Sequence, residues 1–129
     1  MALSLAEANK AIAGAIKKAE ALNIRVCVAV CDSGGRLVAF NRMDGAIWGA
    51  VYGSQGKAVA SAGMGRPSGA LDPTRVIFQK IGEHEGGHMI ASQGAVPIIR
   101  NGVVDGACGV GGGTGEQDEE CASAGAATL

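Results

Sequence analysis

Apolar residues recur every three or four positions near the start of the chain, and this spacing predicts an amphipathic helix over residues 4–23. The apolar stripe consists of Leu5, Ala8, Ile12, Ala15, Ile16, Ala19 and Leu22. Ser4 and Glu7 have the spacing of a capping box, in which each side chain bonds a backbone amide that the helix leaves free. We therefore expect the helix to begin at Ser4 and to end at Asn23.

A nearly continuous apolar run over residues 24–31 predicts a central strand that is covered on both faces. Turn-forming residues follow at 32–35 (DSGG), and residues 36–42 return as a second strand. Together these segments predict a β-hairpin.

A second hairpin is predicted from residues 96–100 and 103–110. The two residues between them, Asn101 and Gly102, favour the positive φ angles of a tight turn. Pro97 lacks an amide hydrogen, so its place near the strand start indicates an edge strand or a bulge.

Three further segments predict helices, over residues 47–63, 72–81 and 116–127. In the first, Gly49, Gly53 and Gly56 lie about one turn apart and leave a groove for another backbone or for a ligand. Asp72 followed by Pro73 is typical of a helix start. The capping-box spacing returns at Thr114 and Gln117, before the last helix.

The element order is therefore α-β-β-α-α-β-β-α. Because the strands come as hairpins rather than alternating singly with helices, an antiparallel sheet with helices on its faces is favoured over a doubly wound parallel sheet. We expect one α+β domain over residues 1–129, since two domains would each be too small to bury a useful core.

Composition excludes several classes of partner. The formal charge of −1, from 11 basic and 12 acidic side chains, provides no basic surface for nucleic acid or for an anionic membrane. The start of the chain reads directly into a helix without a targeting signal, and no apolar stretch approaches the ~18 residues of a membrane span. The four cysteines lack C-x-x-C spacing, so we expect reduced thiols and a cytoplasmic protein.

Five segments in this order resemble the GlcG/HbpS family, which is related to the C-terminal domain of PduO-type cobalamin adenosyltransferases. They are residues 26–35 (VCVAVCDSGG), 42–45 (RMDG), 57–58 (KA), 94–98 (GAVPI) and 106–119 (GACGVGGGTGEQDE). The resemblance implies a profilin-like, three-layer α/β/α fold with a central five-stranded, mainly antiparallel sheet. It also implies homo-oligomers and makes haem the candidate cofactor.

A glycine-rich bend before the last helix is a candidate binding site. Its residues are Gly111, Gly112, Gly113, Thr114 and Glu116. Free backbone amides and the positive end of a helix dipole favour an anion there, such as a ligand carboxylate. The alternative is a tight strand-to-helix turn.

Asp118 and Glu119 follow in the first turns of the same helix. Acidic residues there commonly interact with the helix dipole alone. Their place in a family-like segment makes them candidates for a polar anchor or a catalytic base.

Arg42, Asp44 and Lys57 are candidates for a carboxylate-binding cluster, because the end of the first hairpin and the second helix are close in sequence. An exposed ion pair is the alternative interpretation.

His84 and His88 form an H-E-x-x-H pattern with Glu85, Gly86 and Gly87 between them. Two adjacent glycines disfavour the continuous helix that a zinc protease requires. We expect residues 82–94 to be irregular, with the two histidines either ligating haem iron or another metal, or simply exposed to solvent.

These observations favour a homo-oligomeric small-molecule-binding protein that is accessory to a metabolic pathway. Its ligand would be a haem or related tetrapyrrole, or a small organic acid. One alternative is a small lyase, isomerase or hydrolase acting on a hydroxy acid or aromatic acid, with Asp118 or Glu119 transferring protons. The other is a structural accessory subunit.

Overall fold

The predicted order of helices and strands is confirmed by the computed structural model, which describes residues 2–129. The elements are α1 (Leu5–Ala21), β1 (Cys27–Asp32), β2 (Leu37–Arg42), α2 (Gly49–Met64), α3 (Val76–His84), β3 (Ala95–Arg100), β4 (Val103–Gly111) and α4 (Gly115–Ala126). One turn of 3-10 helix, Ser68–Ala70, lies between α2 and α3. In the described residues, no helix is both long enough and apolar enough to cross a membrane.

Local signals in the sequence fix several boundaries. Reciprocal capping boxes join Ser4 to Glu7 and Thr114 to Gln117, as their spacing predicted. Asn23 has a φ of 56°, a left-handed conformation that ends the helical path after α1. The turn between β3 and β4 has φ of 53° at Asn101 and 74° at Gly102, which confirms the predicted tight turn.

The sheet is antiparallel throughout, with strand order β2-β1-β4-β3. The expectation of five strands is wrong for the described chain, which forms four. The long connection between β2 and β3 contains α2, the 3-10 turn, α3 and loops. Strands β2 and β3 are the two edges of the sheet. Pro97 lies in edge strand β3, where its missing amide hydrogen breaks no central ladder.

The two faces of the sheet are covered by different helices, so the chain has three layers. Even-numbered residues of the central strands, such as Val28 and Val110, pack in one core cluster with α1 and α4. Odd-numbered residues face α2, where Cys31 and Ala107 pack with Ala58. The likeness to profilin stays a prediction, whereas the mixed α+β class is confirmed.

Small residues on β4 allow α2 to lie very close to the sheet. A methyl group added at Gly109 would overlap the Ser54 carbonyl oxygen and would lie 2.9 Å from the Ala58 Cβ. At Gly111 it would lie 3.3 Å from both the Cβ and the carbonyl oxygen of Ala50. These glycines therefore set the distance between α2 and the sheet.

The start of α3 differs from the prediction. Asp72 does not cap a helix; its Oδ1 accepts hydrogen bonds from the backbone amide and the hydroxyl of Thr74, at 2.9 and 2.7 Å. The carboxylate thus stabilises a local turn around Pro73, and the helix begins only at Val76. It also continues to His84, three residues beyond the predicted end at Ile81.

We predict opposite effects from one substitution type at two glycines. Gly109→Ala should destabilise the protein by about 1–3 kcal/mol, because α2 or β4 must shift to make room. Gly63→Ala should stabilise it by up to about 1 kcal/mol, since alanine has the higher helix propensity and Gly63, also in α2, has no atom near the added methyl group. Urea unfolding measures both. Equal stabilities of the two variants would contradict the close packing of α2 on β4.

Candidate functional site

A cleft lies on the α2 face of the sheet, where that single helix leaves part of the surface uncovered. Helix α2 packs mainly across β4, β1 and β3, and it meets β2 only at its beginning, where Phe40 packs with Ala50 and Val51. The open side is bounded by β1, the β1–β2 turn and the loop that follows α3. This arrangement leaves a cleft of about 730 Å³, within the usual range for small-molecule sites.

The cleft walls are mainly apolar. They include Ala29 and Leu37 from the first hairpin, Tyr52, Ala58 and Val59 from α2, and Ile90 from the loop after α3. Tyr52 also contacts Trp48 edge to face, with ring centroids 6.4 Å apart. An apolar or aromatic ligand would therefore find extended hydrophobic contacts.

Gly56 attaches the loop after α3 to the helix. Its carbonyl oxygen accepts a 3.0 Å hydrogen bond from the Ile90 amide, and the Ile90 side chain occupies the space where a side chain at position 56 would lie. The glycine groove predicted in α2 thus holds another backbone at this position, beside the cleft.

His84 and His88 line the same cleft and are both exposed. His84 ends α3, and the chain then turns through Gly86 and Gly87, with φ of 67° and 79°. The H-E-x-x-H pattern is therefore interrupted by a helix end, and the two imidazoles do not share a helical face. Within residues 2–129, no three metal-ligating side chains of His, Cys, Asp or Glu converge.

Charged groups meet at the cleft mouth. Arg36 Nη1 lies 3.3 Å from Glu85 Oε2 and 3.4 Å from Oε1. Arg36 follows the β1–β2 turn, and Glu85 follows α3, so the pair spans the opening between two elements. The mouth therefore offers one strong cation and one carboxylate to an incoming ligand.

Cys31 also borders the cleft, where its thiol is buried. Burial raises the pKa of its thiol to about 12, so the reactive thiolate is scarce near neutral pH. All four cysteines are buried and unpaired, which agrees with the sequence-based expectation of reduced thiols.

The glycine-rich bend before α4 is occupied by atoms of the chain itself. The Gly113 amide donates a 2.8 Å hydrogen bond to Asp118 Oδ1, and Thr114 caps α4 through Gln117. Added methyl groups at Gly112 and Gly113 would meet the Arg25 carbonyl oxygen and the Ile24 side chain. Packing therefore explains these glycines. Anion binding by Gly111–Thr114 and Glu116 stays a prediction, and none of them lines the cleft.

Lys57 and Asp118 form a buried ion pair. Lys57 Nζ lies 3.3 Å from Asp118 Oδ2 and donates to the Gln93 carbonyl oxygen at 3.2 Å. The two residues are only 7% and 3% exposed, so this pair joins α2 to α4 inside the protein. Glu119 lies nearby, and its Oε2 accepts a 3.5 Å hydrogen bond from the side-chain amide of Gln93. Proton transfer by Asp118 or Glu119 stays a prediction, and neither lines the cleft.

Arg42, Asp44 and Lys57 are not joined by any hydrogen bond or ion pair within residues 2–129. Arg42 Nη2 instead donates to the Ala46 carbonyl oxygen at 2.9 Å, and Asp44 is exposed. Lys57 is directed to Gln93 and Asp118. None of the three lines the cleft, so their role as a carboxylate-binding cluster stays a prediction.

Sequence reasoning identified the two histidines but missed other residues that line the cleft with them. Arg36 and Leu37 were assigned only to a strand, and Tyr52 lay within the predicted helix over residues 47–63 without a further role. The signal available for Arg36 was its position directly after the DSGG turn, where a long side chain leaves the hairpin end. Nothing local connects it with Glu85, 49 positions later.

The fold and cleft together define a small α+β domain with a ligand-sized cleft beside its sheet. The family model described as haem-degrading protein HbpS-like matches residues 3–127. The chain belongs to this HbpS-like family, which confirms the resemblance seen in its motifs.

Individual relatives agree with this assignment. A 15.0 kDa protein from the dhaT-dhaS intergenic region of Citrobacter freundii is 32% identical over 122 residues, which cover 90% of this chain and 84% of the relative. A double mutant of Streptomyces reticuli HbpS superposes with a TM-score of 0.87 at 29% identity, covering 100% of this chain and 88% of HbpS. The PduOC structure, a haem complex, has a TM-score of 0.88 at 24% identity, covers 100% and 96% of the two chains, and supports the fold.

The buried ion pair leads to a stability prediction. Lys57→Met should destabilise the protein by about 3–5 kcal/mol, because the Asp118 carboxylate then remains buried without its cation. Adding Asp118→Asn should restore much of this loss, since asparagine is neutral and its Oδ1 still accepts from the Gly113 amide. Urea unfolding of both variants provides the comparison. A double variant as unstable as the single one would argue against charge burial as the cause.

Proposed function

We propose that this chain is a haem-binding protein whose ligand occupies the cleft between α2, the first hairpin and the loop after α3. The observation that carries the proposal is that His84 and His88 line the same cleft as a set of aliphatic and aromatic side chains. Imidazole nitrogens are common axial ligands of haem iron, and aliphatic and aromatic side chains suit the faces of a tetrapyrrole.

The residues present fit such a ligand in three respects. The volume of about 730 Å³ suits a large, flat organic molecule. The donors are two imidazoles without a third metal-ligating partner, which suits an iron already held by a macrocycle. The mouth carries Arg36, which suits a ligand that is apolar with acidic substituents. When bound, haem would supply an iron atom able to accept an axial nitrogen from His84 or His88.

The relatives support the same choice over a small organic acid. The matching family is described as haem-degrading, and HbpS, at 29% identity, is the protein that gives the family its name. PduOC has been crystallised as a haem complex. A small organic acid would leave most of the apolar wall without a contact.

The wider role follows from the same features. The ligand donors in the cleft favour a binding protein, and we propose that it is accessory to a metabolic pathway. Four unpaired cysteines are typical of a reducing compartment, so the cytoplasmic location remains part of the proposal.

We also infer a homo-oligomer. Ile47 and Trp48, at the start of α2, are 66% and 72% exposed. Gly49 and Gly53 have open space above them. Large apolar side chains beside a smooth helix surface are typical of protein interfaces, where aromatic residues are enriched.

A haemin titration tests the ligand. Wild-type protein should shift the Soret band of haemin and bind it in a saturable way. The double variant His84→Ala/His88→Ala should abolish the shift caused by axial ligation, because no other imidazole is present in the chain. The two single variants identify which histidine ligates the iron.

Lys80→Ala provides the matched control, since Lys80 is exposed on α3 but does not line the cleft. It should bind haemin as the wild type does. The proposal is wrong if the wild type gives no Soret shift, and ligation by these histidines is wrong if the double variant shifts the band unchanged.

Light scattering after size-exclusion chromatography tests the oligomer. Wild-type protein should have a mass that is a multiple of the 12.8 kDa chain, and Trp48→Lys should reduce it by placing a charge in the interface. Val76→Lys, which adds the same charge at an exposed apolar position of α3, should leave the mass unchanged. A monomeric wild type would contradict the inference.

A further inference from the structure

Arg36 holds a distinctive position in the cleft. Among the side chains that line it in the described chain, Arg36 is the one lysine or arginine, and Glu85 is the one carboxylate. A guanidinium has five N–H donors and matches the geometry of a carboxylate. The cleft therefore has a single permanent cation, and that cation is currently paired with an internal anion.

The Arg36–Glu85 pair is suited to exchange its anion. A single nitrogen, Nη1, approaches both carboxylate oxygens at 3.3 and 3.4 Å, longer than the 2.7–2.9 Å typical of a strong charged hydrogen bond. The Arg36 side chain is 69% exposed, whereas that of Glu85 is 29% exposed. Exposed pairs of this kind contribute little to stability, so a carboxylate of a ligand can displace Glu85 at little energetic cost.

The backbone beneath Arg36 is held firmly. Asp32 Oδ1 accepts hydrogen bonds from the amides of Gly34 and Arg36, both at 2.9 Å. The Asp32 amide donates in turn to the Arg36 carbonyl oxygen at 2.8 Å. The guanidinium is thus carried on a defined turn at the cleft mouth, while its long side chain remains free to follow a ligand.

We propose that Arg36 binds a carboxylate of the ligand, which takes the place of Glu85. The inference rests on the proposed haem-binding function and extends it: the cleft selects tetrapyrroles whose carboxylates are free over those whose carboxylates are esterified. Glu85 acts as an internal competitor. It neutralises Arg36 in the free protein and weakens binding of any carboxylate that must displace it.

Two ligands and three variants test this. Haemin, with free propionates, and haemin dimethyl ester, without them, are each titrated into the wild type, Arg36→Gln, Arg36→Lys and Glu85→Gln. Arg36→Gln should raise the Kd for haemin about fivefold and leave the Kd for the ester unchanged. Arg36→Lys, which keeps the charge, should recover part of the loss. Glu85→Gln should lower the Kd for haemin about two- to fivefold.

The exposed pair Lys80–Glu83 supplies matched controls, because it has the same 3.3 Å separation but lies outside the cleft. Lys80→Gln and Glu83→Gln should change neither Kd. If wild-type protein binds haemin but Arg36→Gln affects both ligands equally, or neither, the carboxylate role of Arg36 is wrong and haem binding stands. If wild-type protein binds neither ligand, both proposals are wrong.

Discussion

The close contact between α2 and β4 is the constraint on which the rest of this structure depends. Residues of β4 that face the helix are very small, so the helix backbone comes within van der Waals reach of the strand at Gly109 and Gly111. Any side chain there would lift α2 away from the sheet. Because α2 is held over β4, it covers β4, β1 and β3 and leaves much of the β2 side of the face open. The cleft is the consequence of this off-centre position.

The same small residues organise the other wall of the cleft. Gly56 accepts the Ile90 amide and leaves room for the Ile90 side chain, so the loop after α3 is fixed against α2. Fixing the end of that loop brings His84, Glu85 and His88 to the open face. Two imidazoles thus share one cleft with aliphatic and aromatic side chains, a combination that suits a flat apolar ligand carrying a metal. The site therefore depends on how closely α2 packs on the sheet, and the glycines of β4 set that distance.

Features encoded locally were predicted from the sequence, and features formed by distant residues were not. Ser4, Asn101 and Thr114 each act within a few positions, so the caps of α1 and α4 and the second hairpin turn were predicted correctly. The prediction that Asp72 caps a helix was wrong because a carboxylate can serve either in a helix cap or in a local turn. Here the hydrogen bond from the Thr74 hydroxyl favours the turn. The pairing of Lys57 with Asp118 joins residues 61 positions apart, which a single sequence does not indicate.

The chain contains one buried ion pair and one solvent-exposed ion pair at the cleft, and their different exposure suits them to different roles. Between α2 and α4, Lys57 and Asp118 are removed from water and meet fixed hydrogen-bond partners, so breaking that pair would leave a buried charge uncompensated. At the cleft mouth, water already solvates the Arg36 guanidinium, so an exchange of Glu85 for another carboxylate leaves no charge stranded. An interior pair is therefore suited to hold helices together, and a rim pair is suited to recognise a ligand. From residue type alone, Lys57 was a candidate for carboxylate binding and Asp118 a candidate for proton transfer, and both roles stay predictions.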